Sequence, residues 1–301
     1  MATTHKKAPS SRAKAVDRAQ PPAEYLEYDG VTVSIVLVDP ETAQDWLDFN
    51  RDNRHDRDAN VEAFARDMAA GRWNWQADPI RFSKTDRLLD GQHRLKGIIK
   101  SGTTQPVLLV EGLDDPTQDT MDTGAPRRFA DVLRIHGESN TNLLSAVVRR
   151  LWLLERGLPG DSSTKAKLTH AEQAEFLDAH PLIRDAAEVA LLARRARLQI
   201  ASSVIGAAWY VCAERSRPAA DDFFIERLIN KVGREAGDAA TLLERKFNIE
   251  HSDELRRNID PEAGFRYTIH AWNLYRQGRT GMTKFQGPKG GWPPITEMKV
   301  L

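Results

Sequence analysis

The spacing of apolar residues changes character once along this chain, near Asn140. That change dictates a strand-bearing half followed by a purely helical one. In the first half, Val31–Val38 (VTVSIVLV) is β-branched and partly alternating, a strand stopped by Asp39-Pro40, which opens a helix carrying Trp46, Leu47 and Phe49. Val61, Phe64, Ala65 and Met68 recur at helical spacing ahead of Gly71, a good residue just past a helix end. Pro79–Phe82 and Arg87–Leu89 flank the turn Lys84–Asp86 as a hairpin. Leu95, Ile98 and Ile99 then predict a helix ending near Gly102, and Gln105–Val110 another strand. In the second half, Leu144, Val147, Val148, Leu151 and Trp152 share one wide apolar face, and Thr169-x-x-Glu172 has the form of a capping box. Ile200–Cys212 reads as a buried helix, and Pro218 opens another with Phe223 and Phe224. Asp260-Pro261 is a cap followed by a first-turn proline, leading Phe265, Ile269, Trp272 and Tyr275.

The expected fold class is therefore α+β: a small mixed domain over 28–138 followed by an all-helical domain over 139–280. Residues 1–27 are expected to be a disordered basic tail, and the Gly/Pro-rich end, 281–301, a second tail with little order of its own. A chain of 301 residues suits two domains. Its 43 Lys+Arg balance 43 Asp+Glu, so attraction to nucleic acid has to come from a local patch. Lys6, Lys7, Arg12, Lys14 and Arg18 offer one, as an arm along a phosphate backbone; a solvated tail is the plainer reading. No stretch approaches the roughly 18 apolar residues of a membrane span. The N-terminus lacks an apolar secretory core, so a cytoplasmic protein without membrane partners is expected. Cys212 stands alone, which excludes an internal disulfide framework and a Cys-rich zinc site.

Two polar clusters carry chemistry. Neither a G-x-x-x-x-G-K-[ST] loop nor an H-E-x-x-H pair occurs. The denser cluster, Asp90-Gly91-Gln92-His93-Arg94, lies between a predicted strand and a predicted helix. A glycine there lets the backbone turn and approach a ligand, and the helix N-terminus offers N–H donors and partial positive charge to a phosphate. Arg94 and His93 add donors, while Asp90 can bind a cation or accept a hydroxyl proton. The bland alternative is a capped turn with Arg94 in a surface ion pair. The second cluster runs from Met121 through Asp122, Thr123, Gly124, Arg127 and Arg128. Asp122 is a candidate ligand for a divalent metal, and the two arginines for negative oxygens. Glu62 is a weaker candidate for the proton acceptor. Trp73 and Trp75 read as edge aromatics covering a small core, and the charged loop 50–57, near neutral in sum, as solvated.

The order Pro79–Phe82, then Leu88-Leu-Asp-Gly-Gln-His-Arg-Leu95, then Val107–Val110 resembles the ParB/sulfiredoxin superfamily over about residues 30–135. The D-G-Q-H-R run followed by M-D-T-G-x-x-R is similar to ParB-like proteins common in phages and actinobacteria. That resemblance implies a nucleotide-binding domain, with ATP or CTP and Mg2+ as cofactors, in a bacterial or phage-infected cell. ParB proteins pair a G-x-x-R motif, matched by Gly91 and Arg94, with a later E-N-x-x-R motif, which Asp122 to Arg127 matches only approximately. Sulfiredoxins carry cysteine where this chain has Gln92, which argues against their chemistry. The free-serine kinases of the superfamily, with D-G-H-x-R, match Asp90, Gly91 and Arg94 best. The implied activity is an NTP- and Mg2+-dependent phosphotransferase or NTPase acting on a hydroxyl of a small molecule or of a modified DNA base. Asp90, His93 and Arg94 would be catalytic. Gly91, Gln92, His93, Arg94, Thr123, Gly124, Arg127 and Arg128 would bind the nucleotide, and Asp122 the metal. The rivals are a DNA-binding, partition-type regulator switched by nucleotide, and a ParB-like nuclease. A homodimer through the helical domain is a further expectation.

Overall fold

A computed structural model describes residues 26–50, 58–121, 127–157, 167–252, 259–288, 291–293 and 298–301. The fold is mixed α+β, and the chain divides into two compact units. The first comprises residues up to Pro126 with Thr164–Ala171, and the second Arg127–Ser163 with Glu172–Leu301.

In the first unit the described strands and helices are β1 (Leu26–Tyr28), β2 (Val31–Val38), α1 (Pro40–Leu47), α2 (Asp58–Ala69), β3 (Pro79–Ser83), β4 (Leu88–Asp90), α3 (Gln92–Ser101) and β5 (Gln105–Leu113). The sheet order is β1-β2-β5-β3-β4, antiparallel throughout except for the parallel pair β3–β5. Local chemistry fixes the ends. The Asp39 carboxylate accepts from Thr42 N at 2.7 Å to start α1, and α3 ends at Gly102 in the left-handed region. β2 alternates, sending Val36 and Val38 to the buried side. There they meet Trp46, Met68, Ile80, Phe82, Leu95, Ile98 and Leu109 in one core. Each such side chain contributes about 1.5–3 kcal/mol by leaving water. Trp46 stands edge-on to Phe82 at 5.5 Å. The segment Lys167–Thr169 is tied to α2, with Thr169 Oγ1 donating to the buried Asp67 carboxylate at 3.0 Å and Lys167 Nζ to Asn60 at 2.6 Å.

The second unit contains α4 (Phe129–Ile135), α5 (Thr141–Glu155), most of α6 (His170–Ala179), α7 (Ile183–Arg195), α8 (Ser202–Ala220, running into a π-helical stretch Asp221–Ile229), α9 (Ala239–Ser252) and α10 (Pro261–Arg276). α4 belongs here because Phe129 and Leu133 are buried in the helical core. The division therefore falls at residue 126 and not at the expected 138. α8 breaks at Ser216, which takes φ −160° and ψ 98°, and Pro218 starts the next helical segment as the sequence implies. Asp260 caps α10 by accepting from Ala263 N at 2.8 Å.

Two expectations about the ends are corrected. Leu26 and Glu27 pair in β1 instead of belonging to a tail. The C-terminal end is a packed strap: Met282, Phe285, Met298 and Val300 lie against the helical core. Trp272 Nε1 donates to Leu301 O at 2.8 Å, and Asn273 holds Lys299 O and Leu301 N. The strap begins by passing over Gly237, where an added Cβ would stand 2.7 Å from Gly281 Cα, and Met282 N donates to Gly237 O at 3.2 Å. Apolar side chains on a Gly/Pro-rich segment find a partner that its composition does not reveal.

Candidate functional site

β4 delivers the chain to Gly91, which takes φ +108° and lies under Ile80; a Cβ there would meet Ile80 Cγ1 at 2.9 Å. The strand can therefore turn directly into α3 only through glycine. Arg94 N and Leu95 N both donate to Gly91 O at 3.0 Å. The N–H groups of Gln92 and His93 belong to the first helical turn, where a helix carries its partial positive charge. The Gln92 side chain is buried, and its Oε1 accepts from Asn50 Nδ2 at 3.1 Å. His93 is half-buried. Strand β4 is steadied from outside by Gln118, whose Nε2 donates to Leu89 O at 3.1 Å.

The charged part of the bend is a three-residue cluster. Asp90 Oδ2 accepts from Arg81 Nη1 at 2.7 Å and from Arg94 Nη2 at 2.9 Å. Among the described residues its Oδ1 accepts no hydrogen bond. Arg94 also donates to the backbone carbonyls of Asp78 and of Pro79, the latter at 2.7 Å. Its side chain is 15% exposed, against 28% for Arg81 and 22% for Asp90. In this arrangement the Arg94 fork faces protein oxygens. It staples the chain ahead of β3 to the bend, and a phosphate would have to exchange with Asp90 to reach it. Two guanidiniums around one carboxylate leave these three side chains with a single positive charge in excess.

Sequence reasoning did not single out Arg81. The signal was present: alternation in Pro79-Ile-Arg-Phe82 sends Arg81 to the face opposite Ile80, and the hairpin register sets it across from Asp90. Glu62 is half-exposed and accepts from Lys100 Nζ. Lys100 lies eight residues along α3 from Gln92, about 12 Å by helical rise, so Glu62 stands away from the bend. Trp73 packs edge-on against Phe64 at 5.1 Å, whereas Trp75 is exposed.

Of the second cluster, Asp122, Thr123 and Gly124 lie outside the described residues, as does most of the charged loop 50–57. Arg127 and Arg128 are exposed at the start of the second unit, where Arg128 N donates to Asp131 Oδ2 at 3.1 Å and so opens α4. Among the described residues no group of three His, Cys, Asp or Glu side chains is placed to hold a metal ion. None of the described helices is long and apolar enough to cross a membrane. Cys212 is fully buried, and burial pushes its thiol well above the ordinary value. Comparisons with family models, with curated proteins and with solved structures find nothing that matches this chain.

Proposed function

We propose that the strand-bearing unit binds a nucleotide at the Asp90–Arg94 bend, and that the protein is an NTP- and Mg2+-dependent phosphotransferase or NTPase. The observation that carries this reading is the bend itself: a glycine at φ +108° feeding a helix N-terminus straight off a strand, beside two guanidiniums that share one carboxylate. First-turn N–H groups, the helix dipole and the excess positive charge all favour a polyanion there. The resemblance to ParB-like proteins and the free-serine kinases supplies the reaction class. In this reading Asp90 accepts the proton of an attacking hydroxyl or water through Oδ1. His93 and the first-turn amides would hold phosphate oxygens, and Asp122 would be the candidate ligand for a Mg2+ ion that offsets phosphate charge. Arg94 positions Asp90 and meets phosphate only after exchanging that partner.

The pairing of both arginines with Asp90 favours a second reading, in which nucleotide is a switch without turnover. A polyphosphate that captures Arg94 leaves Asp90 to Arg81 alone and loosens the backbone pinned at Asp78 and Pro79, the response a nucleotide-gated DNA-binding regulator needs.

Thermal unfolding with ATP and with CTP, with and without Mg2+, tests both. A ligand at 100 times its Kd stabilises by about 2.7 kcal/mol. The enzyme reading expects a Mg2+-dependent rise in Tm with phosphate release, both lost in Arg94→Ala, and Asp90→Asn binding without turnover. Binding with no turnover in the unaltered protein selects the switch. No stabilisation by either nucleotide overturns both.

A further inference from the structure

We propose that the open face of the five-stranded sheet is the contact surface between two copies of this chain. The core of the first unit lies on one side of the sheet, where Val36 pairs with Val107 and both are buried. Over β1, β2 and β5 the opposite side is apolar as well. Ile35 stands beside Leu108 and Leu37 beside Pro106, all on the outward register, and Leu26 pairs with Val33 on the same face. The outward positions of β1, β2 and β5 hold no charged residue. Strands apolar on both sides belong to sheets covered on both faces. Here Tyr28 is 77% exposed, Ile35 53%, and Leu26 and Leu37 52% each. These four alone leave on the order of 450 Å² of apolar surface in water, within the range of about 300–600 Å² that marks an interaction site on a monomer.

A second copy fits this face better than any segment of the chain itself. The other exposed large apolar residues among those described, Trp75, Ile135, Val232 and Leu301, stand singly and far apart in the sequence. Residues 1–25 offer only Met1, Val16 and Tyr25 as large apolar side chains. The segment that returns to this unit, Lys167–Thr169, is bound to α2, which packs with α3 and not on the open face. The matching apolar plane of equal size is therefore the same face on another molecule, in a two-fold, self-complementary contact. The three strands β1, β2 and β5, about 4.8 Å apart, make an apolar band about 14 Å wide. Two such faces, stacked about 10 Å apart, bury on the order of 1,000 Å² in total, enough for a specific but weak dimer. The face ends at the Arg81–Asp90 pair, so stacking brings each copy's charged cluster to the border of the contact.

Sedimentation velocity of the full chain from about 1 to 500 μM, with the double variant Ile35→Glu, Leu37→Glu alongside, reads this directly. The expected result is a reversible monomer–dimer equilibrium in the unaltered protein. The variant should stay monomeric with unchanged circular dichroism and Tm. A monomer throughout the range overturns the proposal, because the face is then covered otherwise or not at all. So does a dimer that survives the double substitution, which would place the contact elsewhere, the helical half included. Should the double variant fail to fold, a nitroxide on Ile35→Cys decides instead, since Cys212 is buried and leaves one accessible thiol. Dipolar coupling between copies at less than about 30 Å supports the stacked faces, and its absence in a dimeric sample overturns them.

Discussion

Gly91 shows how much one position can demand. It needs a positive φ that L side chains rarely adopt, and it has Ile80 where a methyl would go. Gly91→Ala is expected to cost about 1–3 kcal/mol, read as a lower urea midpoint at unchanged slope. Gly102→Ala is the control for backbone conformation alone: φ is +67° and nothing lies within 4 Å of its absent Cβ, so a smaller loss, about 1 kcal/mol, is expected there. At this scale the sequence is legible where chemistry is local. Asp39 and Asp260 as caps, Pro218 as a helix start and Gly91 as the turn residue all follow from neighbours within four positions. Arg94 is the counter-example. Its long side chain is directed by the carbonyls of Asp78 and Pro79 and by Arg81's hold on the same carboxylate, partners that only the folded hairpin brings together. The ion pair with Asp90, four residues earlier, was legible in D-G-Q-H-R; the turn onto the Asp78 and Pro79 carbonyls was not.

Strands and helices with a strong period were readable, and the misses have physical causes. β1 is three residues long and shows no alternation of its own, yet Asp29-Gly30 after it is the turn dipeptide that marks a tight hairpin, with both φ values positive. The C-terminal strap was hidden by its glycines and prolines, which signal irregular backbone but not whether that backbone docks. His270 links the strap to pH. Its Nε2 bonds Gln286 O at 2.8 Å, and its ring lies 5.5 Å from Trp292 and 5.7 Å from Phe285. Burial pushes the imidazole below its ordinary value, against an upward pull from the Gln286 carbonyl. A lowered folded-state value means the docked strap is stabilised fully above about pH 6.5 and loses that contribution as pH falls through the depressed value. Tryptophan fluorescence followed from pH 8 to pH 5 should report this loosening, and His270→Gln should flatten it.

For the molecule as a whole, length and the change in apolar spacing pointed to two units and an α+β fold, but not to where they divide, because α4 carries no mark of the core it joins. Zero net charge also limits what the protein can do with nucleic acid. Affinity for random duplex is expected to be weak at physiological salt. If the arm from Lys6 to Arg18 carries it, log K should fall with log salt at a slope of about −4. Fluorescence anisotropy on the chain with and without residues 1–22 checks this, and a slope unchanged by the deletion would move the contact elsewhere. The crossing of Gly237 beneath Gly281 and Met282 has a consequence of another kind. Loops ordinarily accept substitution freely, yet here a single methyl would lift the returning backbone and pull Phe285 from the helices it covers. A random library screened for folded protein should therefore recover glycine almost alone at this position, although nothing nearby in sequence announces the constraint.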